Sequence, residues 1–208
     1  MLKQPASPPH RRLFALTVFA AGCSISPLAH AQSATDAKSA ASAPSADAWQ
    51  LVKPGTVVLF RHALAPGVGD PPKFQMNDCA TQRNLSDEGR EQARRIGAAF
   101  KSRQIQVGAV WTSQWCRTRE TADIAFPNQR VDQPAFNSFF SDTEAEPTKT
   151  RAAKALLNQW RGPGVAVVVT HQVNITAITG LGTASGEGIV VKPSAQGLLV
   201  LGRITPPN

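Results

Sequence analysis

Long hydrophobic runs, basic tracts and metal-binding residues are all scarce in this sequence. Beyond residue 31, no apolar stretch approaches the ~20 residues that a membrane-spanning helix needs. No extended Lys/Arg tract and no basic strand interleaved with aromatic residues is present, which argues against nucleic-acid binding. The 208 residues contain only three Cys and four His, and no internal repeat is visible. The sequence therefore predicts one ordinary globular domain with an N-terminal extension and no transmembrane segment in the mature chain.

The N-terminal extension has the regions of a secretory signal peptide. Lys3, Arg11 and Arg12 precede a short apolar run at 13–21, and a small-x-small cleavage site ends at Ala31. We therefore predict a signal peptide over residues 1–31 and a periplasmic or secreted mature protein. Lipid attachment at Cys23, which follows Ala-Ala-Gly, is the less favoured alternative.

The segment after the signal peptide is rich in Ser and Ala and poor in apolar bulk. We predict a flexible linker over residues 32–47 and a folded domain over residues 48–208. The formal net charge of +8 includes three basic residues of the signal segment, so the mature chain is only modestly basic. A surface of that charge favours anionic substrates.

Apolar runs of strand length alternate with helical patterns along the domain. Continuous runs of this kind suit strands that are buried on both faces, as in a parallel sheet. The predicted strands lie at 57–60, 107–111, 165–169, 189–191 and 198–201. Between them, helices are predicted after an N-cap at Ser86, from Arg117 to Ala125, and over the apolar face of Ala153, Leu156, Leu157 and Trp160. This alternation predicts an α/β fold, a three-layer α/β/α arrangement with a mostly parallel central sheet.

Two histidines of the predicted mature chain, His62 and His171, each follow directly on a predicted strand. In a parallel sheet, the carboxyl ends of the strands share one edge, where open α/β folds bind their ligands. Arg61 precedes His62, and Arg117 follows the strand at 107–111 by about one helical turn. Four crowded cationic groups are favourable only around an anion such as phosphate, because isolated buried charge is costly. A neutral imidazole among them could attack phosphorus, whereas neighbouring arginines oppose a metal cation.

This ordered set of residues resembles the histidine phosphatase (phosphoglycerate mutase-like) superfamily. The matching motifs are Arg61-His62 after one apolar strand, Ser113…Arg117…Thr121-Ala122 after another, and His171 after a third. In addition, Arg83-Asn84-Leu85-Ser86 with Gly89 is similar to a segment of the small phosphohistidine-phosphatase branch.

The resemblance implies a metal-independent phosphatase without a cofactor. It implies that His62 is the phosphorylated nucleophile and that Arg61, Arg117 and His171 bind the phosphoryl group. The substrate would be a phosphorylated small molecule, a lipid headgroup or a protein, and the motifs do not distinguish these classes.

Departures from the family pattern leave other hypotheses open. Ala63 stands where the family usually has Gly, and Gln172 replaces the acid of the phytase and acid-phosphatase branch. For the proton donor, Asp142 and Glu144 lie about where the mutase-like branch places its acid, and Glu187 is a third candidate. The competing hypothesis is a non-catalytic phosphate or sugar-phosphate binding module on the same fold. A mutase would need a retained bisphosphate, which is difficult to reconcile with export.

Cys79 and Cys116 are the only cysteines that remain once the predicted signal segment is removed. An exported pair is expected to be oxidised, so we predict a disulfide between them. Cys79 lies in the segment 62–84, which has no helical or strand pattern, and Cys116 lies beside Arg117. The bridge would hold this long loop across the carboxyl edge of the sheet.

Overall fold

The computed structural model describes residues 46–206. The predicted signal segment at 1–31 and nearly all of the predicted linker at 32–47 lie outside this range. The strands are β1 Val57–Arg61, β2 Val107–Thr112, β3 Arg130–Asp132, β4 Val165–Thr170, β5 Gly188–Ser194 and β6 Gly197–Ile204. The α-helices are α1 Asp87–Ser102, α2 Cys116–Ala125, α3 Glu146–Asn158 and α4 Gln172–Thr179. Short 3₁₀ turns span Ala46–Leu51, Cys79–Thr81, Pro134–Phe136 and Thr143–Ala145.

A six-stranded sheet with the order β3-β2-β4-β1-β5-β6 forms the centre of the domain. Strands β1 to β4 are parallel to their neighbours in this group, whereas β5 pairs antiparallel with β1 and β6 pairs antiparallel with β5. The parallel pairs require crossovers, which the helices provide. The predicted α/β fold with a mostly parallel sheet is confirmed.

Alternate side chains of β1 enter two separate cores. Val58 and Phe60 pack with residues of α1 and α2, whereas Val57 and Leu59 pack with residues of α3 and α4. Helices therefore cover both faces of the sheet, which makes the three predicted layers. The continuous apolar runs of β1 and β4 follow from this, because a strand buried on both faces has no solvent side for polar residues.

Two elements are absent from the sequence-based prediction. β3 is a three-residue edge strand with an exposed central Val131, so it has no apolar run. α4 has the sequence QVNITAIT, whose β-branched residues have low helix propensity and conceal the helix. In addition, Trp160 lies beyond the end of α3 and packs edge-on against Trp111. No helix within residues 46–206 is long and apolar enough to cross a membrane.

The start of α1 packs tightly against the chain that leaves β1. Ser86 caps α1 by accepting a hydrogen bond from the backbone N–H of Gly89 at 3.1 Å. A Cβ atom at Gly89 would lie 2.0 Å from the carbonyl oxygen of Leu64, so only glycine allows this approach. The contact fixes the path of the backbone just after His62.

The predicted disulfide between Cys79 and Cys116 is confirmed, with 5.7 Å between the two Cα atoms. It joins the loop that follows β1 to the first residue of α2. Gln82 reinforces this junction, because its side-chain oxygen accepts a hydrogen bond from the backbone N–H of Cys116 at 3.0 Å. The loop is thereby fixed over the carboxyl edge of the sheet.

Removing this bridge should lower the free energy of unfolding by about 4 kcal/mol. The bridge joins residues that are 37 positions apart, and without it the unfolded chain gains conformational entropy. The measurement is urea unfolding of the mature protein and of the Cys79→Ser/Cys116→Ser variant, each with and without reductant. Reductant should destabilise only the unsubstituted protein. Two titratable thiols in the denatured, unreduced mature chain would contradict the bridge.

Candidate active site

The carboxyl ends of β1, β2 and β4 bring together residues that are distant in the sequence. Backbone hydrogen bonds extend the parallel pairing past the strand ends, from His62 N to Thr170 O at 2.9 Å and from Ser113 N to Val169 O at 3.2 Å. The rings of His62 and His171 consequently lie 5.6 Å apart, centroid to centroid. A cavity of about 1050 Å³ opens at this edge, and all four predicted phosphoryl-binding residues line it: Arg61, His62, Arg117 and His171.

His62 is buried and has one defined hydrogen-bond partner, the carbonyl oxygen of Ala63, 2.7 Å from Nδ1. Because a carbonyl only accepts, the proton is on Nδ1 and the lone pair is on Nε2. Burial, followed by the charge of Arg117, lowers the pKa of His62 to about 3. The imidazole is therefore neutral and its Nε2 is available as a nucleophile.

His171 is held in the opposite tautomer. Its Nδ1 lies 3.4 Å from the guanidinium Nη2 of Arg117, which can only donate, and its Nε2 lies 2.8 Å from the hydroxyl oxygen of Ser113. Nδ1 is thus the acceptor and Nε2 carries the proton. Burial and then the charge of Arg117 lower the pKa of His171 well below its ordinary value. Without a bound anion, both histidines are neutral.

An ion pair that sequence reasoning missed fixes Arg117. Its Nη1 donates to Asp70 Oδ1 at 2.8 Å and its Nη2 to Asp70 Oδ2 at 3.2 Å. The same carboxylate accepts from the indole N–H of Trp115 at 3.0 Å and from the backbone N–H of Arg83 at 3.1 Å. Both members of the pair are largely buried. No local pattern in the sequence indicates Asp70, because its partner is 47 positions away.

The charge state of Asp70 follows from its four donors. Burial by itself would raise the pKa of this carboxyl, but the hydrogen bonds and charge of Arg117 outweigh burial and lower the pKa. Asp70 is therefore ionised. It neutralises part of the positive charge at the site and holds the guanidinium of Arg117 in one orientation, with the Nε–H edge left unpaired.

Arg61 and Arg83 complete the cationic part of the cavity. Arg61 donates to the side-chain oxygen of Gln172 at 3.1 Å and to the carbonyl of Thr183 at 3.0 Å, while its Nε has no partner. Arg83 donates to the carbonyl oxygens of Gly69 and Ala65, so it shapes the loop that carries Asp70. The pKa of each arginine is lowered, first by burial and then by the charge of Arg117.

Two arginine N–H groups without hydrogen-bond partners indicate which kind of ligand the site would bind. The Nε atoms of both Arg61 and Arg117 are buried without a hydrogen-bond partner. Leaving a buried donor unpaired costs roughly 1–3 kcal/mol, and more when the group is charged. An anion with several oxygen acceptors would satisfy both arginines at once, as a phosphoryl group does.

The structure separates the acids predicted as proton donors from the cavity. Asp142 and Glu144 are exposed and do not line it, whereas Glu146, the first residue of α3, does. Glu187 does not line the cavity either, because its carboxylate is paired with Arg203 and accepts from the backbone N–H of Ala184. Glu146, the acid that lines the cavity, lies two residues beyond Glu144 and was not among the acids that the sequence suggested.

The buried neutral histidines should make the protein less stable in acid. An unfolded chain protonates His62 near its ordinary pKa of 6.5, whereas the folded chain resists protonation down to about pH 3. The free energy of unfolding should therefore decrease as the pH is lowered from about 6.5 to about 3. The decrease is up to about 1.4 kcal/mol per pH unit for each such histidine. Urea unfolding at several pH values would show a shallower decline in His62→Asn. The contributions of the carboxylates are the same in both proteins and cancel in this comparison. If the free energy of unfolding changed equally steeply with pH in the two proteins, His62 would take up a proton in the folded state as well.

Comparisons with known proteins agree with this geometry. Residues 57–135 match the family model of the histidine phosphatase superfamily (branch 1). No curated protein matches the sequence. A solved open-reading-frame product of Mycobacterium tuberculosis is 14% identical, with a TM-score of 0.52 over 71% of this chain and 95% of that one.

Two further solved structures have the same fold. The protein histidine phosphatase SixA, solved with tungstate, is 14% identical, with a TM-score of 0.51 over 73% of this chain and 97% of its own. A phosphoglycerate mutase from Thermus thermophilus is 17% identical, with a TM-score of 0.50 over 72% of this chain and 98% of its own. The resemblance that the motifs predict is thereby confirmed: residues 57–135 have the sequence pattern of the histidine phosphatase superfamily, and the domain has the fold of these solved structures.

Proposed function

We propose that the protein is an exported phosphatase that hydrolyses a phosphomonoester or a phosphoprotein through a phosphohistidine on His62. The observation that carries the proposal is the pairing of a neutral, buried nucleophile with unpaired arginine donors. Nε2 of His62 has a free lone pair, and Arg61 and Arg117, whose buried Nε–H groups lack hydrogen-bond partners, line the same cavity. We use the term phosphoryl site for Arg61, His62, Arg117 and His171.

The reaction takes place in two displacements. In the first, Nε2 of His62 attacks phosphorus, the bond from phosphorus to the ester oxygen breaks, and that oxygen leaves with a proton from an acid. In the second, water attacks the phosphohistidine and gives a proton to the deprotonated acid, the bond from phosphorus to Nε2 breaks, and inorganic phosphate leaves neutral His62 and the restored acid. The two arginines and His171 stabilise the charge on the equatorial oxygens in both steps, without a metal ion.

Anion binding changes the protonation of the histidines. A phosphoryl dianion near His171 favours its charged form, which opposes the effects of burial and of Arg117. Its Nδ1 can then donate to a phosphoryl oxygen. The hydrogen bond to Ser113 holds the ring for this contact through Nε2. The ligand-free site therefore has two neutral histidines, and the ligand recruits the second as a donor.

We assign proton donation to Glu146. It is an exposed acid that lines the cavity, whereas Asp142 and Glu144 do not line it. Asp70 also lines the cavity, but its lowered pKa and its four donors keep it ionised, so it positions Arg117 instead.

Export is supported by one observation in the structure and by one prediction from the sequence. The disulfide between Cys79 and Cys116 is typical of proteins in oxidising compartments. The predicted signal peptide over residues 1–31 would deliver the chain there, to the periplasm or the exterior.

Replacing His62 with Ala should abolish turnover of p-nitrophenyl phosphate in EDTA, because both ring nitrogens of His171, the other histidine at the cavity, are engaged by Ser113 and Arg117 and do not replace Nε2 of His62. Quenching without acid should trap one phosphoryl group per unsubstituted chain, stable in base and labile in acid. The variant should still bind vanadate, which controls for its folding. Vanadate binding without turnover in the unsubstituted protein would support the non-catalytic binding module instead.

Glu146→Gln should slow the hydrolysis of alkyl phosphates much more than that of p-nitrophenyl phosphate, because p-nitrophenol leaves without needing a proton. Loss of general-acid catalysis typically costs about 10²–10⁴-fold, which sets the expected effect on alkyl esters. Glu144→Gln is the matched control two residues away and should change neither rate by more than about twofold. Selective loss in Glu144→Gln and not in Glu146→Gln would reverse the assignment.

Asp70→Asn should give a different pattern, since this residue acts through Arg117. It should lower kcat/KM for good and poor leaving groups alike, by roughly tenfold or more, because a misplaced arginine stabilises every transition state less well. Asp132→Asn is the control, since it breaks ion pairs with Arg119 and Arg130 outside the cavity. If Asp70→Asn lowered kcat/KM much more for esters with poor leaving groups than for those with good ones, Asp70 would be the proton donor.

A further inference from the structure

We propose that the cavity contains an apolar subsite beside the phosphoryl site, so that the substrates are phosphomonoesters of apolar alcohols. The subsite consists of Val68, Phe74, Trp115 and Phe140. The hydrolytic part of this inference rests on the proposed phosphatase activity, whereas the binding part does not.

The cavity is much larger than a phosphoryl group requires. Its volume is about 1050 Å³, which is at the upper end of the roughly 300–1,000 Å³ of small-molecule sites. Most of this space therefore remains for the group that the phosphate is attached to. The side chains around that space determine which leaving groups are accepted.

Two apolar side chains at the cavity are unusually exposed. Val68 is 86% exposed and Phe140 is 54% exposed, and both line the cavity. Within residues 46–206, the other exposed large apolar side chains are Val131, Leu181 and Leu199, none of which lines it. Exposed apolar surface is stabilised when a ligand removes it from water, so this concentration at one opening indicates an apolar ligand.

An aromatic row extends from the phosphoryl site toward these side chains. The ring of Trp115 lies 5.3 Å from that of His171, and the ring of Phe74 lies 5.7 Å from that of Trp115. The indole N–H of Trp115 is already used by Asp70, so its ring presents only apolar surface to a ligand. The apolar wall thus begins directly beside the reacting phosphorus.

Phe140 and the loop around Gly69 approach each other at the cavity. A Cβ atom at Gly69 would lie 3.6 Å from Cε1 of Phe140, within ordinary van der Waals contact. Val68 is adjacent in the chain, so the two exposed side chains belong to neighbouring walls. A chain or ring that leaves the phosphoryl site would contact both.

The part of the lining formed by Val68, Pro71, Pro72 and Phe74 has no polar side-chain group for a sugar or peptide leaving group. The uncharged polar side chains of the lining come from other segments: Ser138, Ser141, Thr143, Gln172 and Thr176. Sugar hydroxyls need convergent polar partners, because unpaired polar groups lose affinity on burial. The loop beside Val68 instead contributes two prolines, Pro71 and Pro72, which have no backbone N–H to donate. Apart from the arginines, the histidines and Asp70, the ionisable groups on the lining are Lys73 and Glu146.

Binding of alkylphosphonates measured by calorimetry tests the subsite without any need for turnover. Octylphosphonate should bind at least about thirtyfold more tightly than ethylphosphonate, because each buried methylene contributes roughly fourfold in affinity. Val68→Ser/Phe140→Ser should reduce this ratio by at least about fivefold. The matched control, Val131→Ser/Leu199→Ser, removes apolar side chains that are 51% and 56% exposed and should leave the ratio unchanged.

Turnover of octyl phosphate and ethyl phosphate provides the second arm. Both release primary alcohols of equal basicity, so the ratio of their kcat/KM values reports binding of the alkyl chain and not leaving-group chemistry. A phosphonate ratio near one, or a ratio that the cavity variant leaves unchanged, would overturn the subsite. Hydrolysis of neither ester, with the phosphonate ratio intact, would contradict the proposed phosphatase and leave the apolar subsite standing.

Discussion

The buried ion pair between Arg117 and Asp70 is the interaction on which the rest of the site depends. It joins the first turn of α2 to the loop after β1, and the same carboxylate also receives hydrogen bonds from Trp115 and Arg83. Without Asp70, three arginines would share one cavity at a high desolvation cost, since the only other carboxylate that residues 46–206 bring to it, that of Glu146, is exposed. With it, Arg117 is fixed in orientation and still has an unpaired edge for an anion.

Burial, which destabilises charged groups in the cavity, also keeps His62, the proposed nucleophile, in its neutral form. Desolvation and the nearby guanidinium groups keep His62 neutral, and the Ala63 carbonyl selects the tautomer with a free Nε2. A solvent-exposed histidine would be partly protonated in mild acid and would have no fixed tautomer. The proposed nucleophile thus stays neutral at the expense of stability in acid, an exchange that is common where function requires buried polar groups.

The long loop after β1 forms part of the cavity wall beside the proposed phosphoryl site. One end is fixed by the disulfide at Cys79, and the middle is held by Asp70 and by the hydrogen bonds of Arg83 to backbone carbonyls. Because these anchors use several polar groups of the loop internally, most of its other side chains at the cavity are apolar, Val68 and Phe74 among them, and Lys73 is the charged exception. The segment that the disulfide and Asp70 hold in place is therefore the same segment that contributes Val68 and Phe74 to the proposed apolar subsite.

The sequence by itself predicted five of the six strands and three of the four α-helices within residues 46–206, the disulfide and the four residues of the proposed phosphoryl site that line the cavity. Burial on both faces of a strand and the position after a strand end are local properties, and each leaves a pattern in neighbouring residues, as at 57–62 and 165–171. Only the tertiary structure revealed the contacts of Asp70, the position of Glu146 at the cavity, the short edge strand β3 and the helix α4. Asp70 meets Arg117 across 47 positions, and Glu146 lines the cavity whereas Glu144, two residues earlier, does not. Such choices depend on how separate segments pack together, and packing between distant segments leaves no periodicity in the sequence of either one.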